Sequence, residues 1–80
     1  MATKADLEEW VVEALTNVGG SGSVVTVSKK LWELHAHELD VSGDLFFTWQ
    51  YDVRWAAQKL RDRGVLVSLK GDRRGVWTLA

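Results

Sequence analysis

The chain has no cysteine, which removes disulfides and thiolate metal ligation from consideration. It must therefore hold together by packing alone, a condition that fits a reducing cytoplasm better than a secreted life. No stretch approaches the roughly 18 apolar residues of a membrane span. The opening Met1-Ala2-Thr3-Lys4-Ala5-Asp6 lacks the charged-then-apolar order of a signal peptide. The expected location is cytoplasmic, associated with the nucleoid, with no membrane partner. Arrangements that would carry chemistry are missing as well. The two histidines, His35 and His37, lie two apart on a predicted helix and point in different directions, with no third strong ligand nearby, so no metal site is expected. Neither a Ser-His-Asp nor a Cys-His set can be assembled. No carboxylate–carboxylate–Lys arrangement suited to a catalytic Mg²⁺ is present. The expectation is a protein that is not an enzyme, has no cofactor and takes no small-molecule substrate.

What is present is compact and aromatic. Eighty residues, 46% hydrophobic and 26% charged, make one domain spanning 1–80 and argue against disorder. A chain this short hides a smaller share of its surface than a large domain does. Five Trp, two Phe and one Tyr compensate, each able to bury roughly 150–250 Å². The net charge of −1 conceals a division. Residues 1–44 carry three Lys/Arg against eight Asp/Glu, and residues 45–80 carry seven against three. Local field rather than total charge steers a polyanion, so the basic half is a candidate interaction surface. The plain alternative is that the two halves attract each other within the fold.

Leu7, Trp10, Val11, Ala14, Leu15 and Val18 recur at helical spacing and predict a first helix with an acidic outer face. Thr3 and Asp6 resemble a capping box, and Gly19-Gly20-Ser21-Gly22-Ser23 stops the helix. Val24-Val25-Thr26-Val27 reads as a short β-branched strand. Ser28 then caps a second helix from about Lys29 to Leu39, with Leu31, Leu34 and Trp32 turned inward, and Asp40 to Asp44 forms a loop. A third helix begins between Leu45 and Trp49 and runs to Gly64. Its inward side collects Trp49, Val53, Ala56, Ala57 and Leu60, and its outward side Thr48, Tyr51, Arg54, Trp55, Gln58 and Lys59. After Gly64 the period becomes two. Val65-Leu66-Val67-Ser68-Leu69 and Val76-Trp77-Thr78-Leu79 read as strands joined by Lys70-Gly71-Asp72-Arg73-Arg74-Gly75, a hairpin with a basic tip. Helix, strand, helix, helix, strand, strand is an α+β order, that of a winged helix-turn-helix.

Trp55-Ala56, Leu60, Gly64 and Leu66, followed by Arg73-Arg74-Gly75-Val76-Trp77-Thr78-Leu79, resemble the winged-helix N-terminal domain of Mrr-like restriction endonucleases. The resemblance covers roughly residues 51–79, and the first half matches in element order alone. It implies a recognition domain of a restriction system that contacts double-stranded DNA and delivers a separate nuclease domain, often to modified DNA. The nuclease domain itself is absent from this sequence, which reads as an excised module or a standalone relative.

The expected contacts follow from side-chain chemistry. Arg54, Gln58, Tyr51 and Thr48 face the major groove, because Arg grips guanine and Gln grips adenine bidentately, and Gln50 and Arg61 are further DNA-binding candidates. Lys70, Arg73 and Arg74 touch phosphates from the wing, or simply keep a hairpin tip soluble. Ser28, Lys29 and Lys30 hold a phosphate at the expected start of the second helix. Arg63, nearer the core, pairs with the acidic first helix. Trp55 packs under the wing or against the second helix, with stacking on or wedging into DNA as the alternative. A homodimer or a separate nuclease domain would be a further partner. The rival reading is a winged helix that binds a protein through the acidic first helix or the tryptophan-rich surface.

Overall fold

The computed structural model describes residues 3–67 and 75–80. Helix α1, Lys4–Asn17, buries Leu7, Trp10, Val11, Ala14 and Leu15, the stripe its spacing predicts. Thr3 precedes it in extended conformation, and its N–H donates to the Asp6 carboxylate at 2.8 Å, the acidic half of a capping box. Gly19 and Gly20 both take positive φ, and the Gly20 N–H returns to the Leu15 carbonyl at 2.7 Å, closing the helix end.

The next stretch departs from the expectation. Strand β1 is Ser21–Ser23, and Val24 to Val27 form the first turn of α2, Val24–Asp40. The cap decides this: the Ser23 hydroxyl accepts the Thr26 N–H at 3.1 Å, so the helix starts five residues before the predicted Lys29. Val27 is then buried where a strand would have turned alternate residues outward. Ser-Gly-Ser has little intrinsic strand preference, but it is held by pairing with β2 and by the side-chain bond between Ser21 and Thr78 at 3.0 Å. Gly22 leaves space that Val18 and Val27 fill, since an added Cβ would lie 3.3 Å from Val27 Cγ2. Replacing Ser23 by alanine is expected to destabilise the fold by about 1 kcal/mol. A urea denaturation midpoint that does not move would show that α2 starts elsewhere.

The inward residues of α2 are Val27, Leu31 and Leu39, with His35 between them at the same spacing. His35 carries non-helical backbone angles that kink the helix. Leu34, expected inside, is exposed, as is much of Trp32, because the stripe steps by four and passes through His35 instead.

Helix α3, Asp44–Asp62, starts one residue before the predicted window and ends two before Gly64. Gly43, at φ 60, makes the turn into it. Its predicted inward residues, Trp49, Val53, Ala56, Ala57 and Leu60, are all buried, together with Leu45 and Asp52. The two alanines let α3 lie close to its neighbours, and α1 is the helix it contacts most extensively.

Strand β2, Val76–Thr78, pairs antiparallel with β1 in the register Ser21–Thr78, Gly22–Trp77 and Ser23–Val76. On its other side Leu66 bridges Leu79, and the Val67 N–H donates to the Thr78 carbonyl at 2.9 Å. Trp77 and Leu66 point into the core shared with the three helices. Three helices carrying a two-stranded antiparallel sheet give the expected α+β class, with an isolated bridge where the first of the two C-terminal strands was predicted. The remainder of that strand and the tip with Lys70, Arg73 and Arg74 lie outside the described residues.

Candidate nucleic-acid interface

A groove of about 620 Å³ runs between the N-terminal half of α2 and α3. Ser28 and Lys29 line it from α2, and Gln50 and Arg54 from α3. A second hollow of about 400 Å³ adjoins it, sharing Val24, Val25 and Arg54, and continues past Arg61 to Gly75 and Trp77. Lys29 and Arg54 thus border the groove and Arg54 and Arg61 the adjoining hollow, which reaches the residue that follows Arg73-Arg74 in the chain.

These cations can be separated from the others by their partners. Lys30 pairs with Glu33 at 2.9 Å, and Arg63 reaches Glu8 at 2.9 Å, the bond to the first helix expected of it. Lys4 lies 3.8 Å from Asp52. Among the described residues Lys29, Arg54, Lys59 and Arg61 form no ion pair. An unpaired cation keeps its charge available to a polyanion, whereas a paired one must first be released. Part of the basic half therefore does neutralise the acidic half, but the part along the groove and its adjoining hollow does not.

The predicted contacts do not all converge. Ser28, Lys29 and Lys30 are one turn inside α2 rather than at its N-terminus, so their helix-end argument for holding an anion fails. Lys29 remains a candidate because it lines the groove. Thr48 bonds the buried Asp52 carboxylate at 2.7 Å, and Gln58 bonds Asp62 at 3.1 Å. Tyr51 lines a separate hollow on the α1 flank with Trp55, Lys59 and Glu8. Trp55, expected to find cover under the wing or against α2, is 56% exposed and meets Tyr51 edge-on, with centroids 6.2 Å apart.

Sequence reasoning missed the aromatic floor of the groove. Trp32 stacks on the buried Trp49 with ring centroids 5.8 Å apart and lies 6.4 Å from Phe46. The available signal was Phe46-Phe47 two residues before Trp49, a density of rings that one inward face cannot absorb. Phe47 is accordingly 82% exposed.

His35 occupies a different place, between α1 and the kink of α2. Its ring stacks on Trp10 at 4.0 Å, Nδ1 meets Glu38 at 2.9 Å, and Nε2 meets Glu13. Desolvation alone would lower its pKa, but hydrogen bonds and charge from Glu13 and Glu38 outweigh that and raise it above the ordinary 6.5. A raised folded-state pKa contributes stability that is complete below about 6.5 and is lost as pH climbs through the folded value. The melting temperature is expected to fall as pH rises above about 6.5. His35→Gln should flatten that fall, and an unchanged slope in this variant would place the titration elsewhere.

No described helix is long and apolar enough to cross a membrane. No family model, curated protein or solved structure matches this chain.

Proposed function

We propose that this chain is a winged-helix module that binds double-stranded DNA and performs no chemistry of its own. In this reading α3 enters the major groove along its Gln50–Arg54 edge. Lys29 and Arg61 hold the flanking backbone, and the segment bearing Lys70, Arg73 and Arg74 holds the next stretch. The observation that carries it is the placement of Lys29, Arg54 and Arg61, without ion pairs among the described residues, along the α2–α3 groove and the adjoining hollow that reaches β2. Phosphate contacts would supply most of the affinity and edge contacts from Arg54 and Gln50 the discrimination. The resemblance to Mrr-like recognition domains supports the same reading through Arg73-Arg74-Gly75-Val76-Trp77.

Fluorescence anisotropy against a labelled duplex of about 20 base pairs, repeated across salt concentrations, tests it. Binding that weakens linearly in log–log form is the expected result. Affinity no greater than that of a neutral control protein at low salt would end the proposal.

One observation favours a protein partner instead. Phe47, Tyr51 and Trp55 stand at i, i+4 and i+8 on α3 and are 82%, 64% and 56% exposed. Changing Phe47 and Trp55 to serine separates the readings. Lost duplex affinity puts the stripe inside the DNA interface, and unchanged affinity puts it outside and leaves it open to a protein partner.

A further inference from the structure

The DNA reading employs the cations of the α2–α3 groove but gives no role to its floor. Trp32 is 39% exposed and backed by the buried Trp49, with the two rings 14° from parallel, and Phe46 stands beside it. Paired bases in a duplex present edges, not faces, to a bound protein. A flat indole with a rigid aromatic backing matches the face of a planar ring, which only an unstacked base offers. The groove's size, about 620 Å³, lies within the range of small-ligand sites. Its charge is also suited to a nucleotide. Lys29 and Arg54 border it without ion pairs among the described residues, and the lining carboxylate, Glu33, is held by Lys30 at 2.9 Å. Ser28 and Gln50 add hydrogen-bonding groups to the lining, of the kind that read a base edge.

We infer that the α2–α3 groove is a pocket for a single unpaired nucleobase, stacked on Trp32, with its edge toward Gln50 and Arg54 and a flanking phosphate on Lys29. The inference rests on the DNA-binding reading and narrows its target to duplexes that already carry an unpaired base, because extracting one from an intact stack is costly. An acidic peptide with a bulky side chain shares the charge match. The nucleobase is favoured because the floor is a backed planar ring and because Arg54 is common to this groove and the hollow that leads to Arg61.

The test compares a labelled, fully paired duplex with the same duplex carrying one extrahelical thymine. The full chain is expected to bind the bulged duplex about tenfold more tightly. Trp32→Ala should lose that preference while keeping its affinity for the paired duplex, and Trp32→Phe should restore most of it. Equal affinity of the unaltered protein for both duplexes overturns the pocket and leaves duplex binding intact. Failure to bind either overturns both. Should Trp32→Ala not fold, 5-iodouracil at the bulge gives an independent reading on the unaltered chain. Photocrosslinking to Trp32 or Phe46 upholds the pocket, and crosslinking confined to Phe47, Tyr51 or Trp55 overturns it. A complex with an acidic, aromatic-bearing peptide that leaves both duplexes unbound also overturns it.

Discussion

Trp77→Ala is expected to destabilise the protein by about 3–5 kcal/mol, enough to leave a large fraction unfolded without denaturant. A domain of this length has roughly 4–12 kcal/mol in total, at 0.05–0.15 kcal/mol per residue. Trp77 is the large buried side chain of β2, 3% exposed, and it packs into the same core as α1, α2 and α3. Its strand is hydrogen-bonded on both sides, to β1 and to the segment around Leu66 and Val67. Removing the indole opens a cavity where the sheet meets the helices, and so loosens both partners of β2 together. Trp77→Phe, which keeps an aromatic ring in place, should lose much less. Urea denaturation of the two variants checks this. If the alanine midpoint falls within about 0.5 kcal/mol of the parent value, where surface substitutions usually lie, the sheet is not anchored through Trp77.

The accuracy of the sequence reading follows the length over which a periodic signal could be averaged. Helices α1 and α3 each show several apolar residues at 3.6-residue spacing, and their buried faces are those the pattern predicts. The reading failed at Val24-Val25-Thr26-Val27, where local β preference argued for a strand and a single hydrogen bond from Thr26 to Ser23 decided for a helix. That error displaced the cap from Ser23 to Ser28 and with it the expected anion site at Ser28, Lys29 and Lys30. The kink at His35 was hidden for a related reason. A polar residue on the inward stripe looks like an interruption unless its partners are known, and Glu13 is 22 residues away in the chain. The pairing of Arg63 with Glu8 followed from its place at the end of α3, on the flank nearer the acidic first helix. The groove's aromatic floor did not, because it depends on how two helices cross, which periodicity within either one does not encode. Trp55 is more exposed than packing under the wing or α2 implied. On α3 the inward side is already filled by Trp49, Val53, Ala56 and Leu60.

Arg54→Ala combined with Arg61→Ala is expected to weaken duplex binding by at least an order of magnitude, since losing one base-reading Arg costs about 1–3 kcal/mol. It should also make the log–log salt slope shallower by about 1 for the phosphate contact assigned to Arg61. The informative comparison is Lys59→Ala. Lys59 also forms no ion pair among the described residues, but it lines the hollow on the α1 flank with Tyr51 and Trp55. The whole chain carries a formal charge of −1, so overall charge gives DNA no reason to approach. Attraction must come from a local concentration of positive charge, and the groove with its adjoining hollow is where Lys29, Arg54 and Arg61 meet. Removing a cation outside it should therefore weaken binding less than removing one inside it. If Lys59→Ala weakens binding and flattens the salt slope as much as Arg61→Ala does, the contact is diffuse electrostatics over the whole face of α3, and the α2–α3 groove is not the interface.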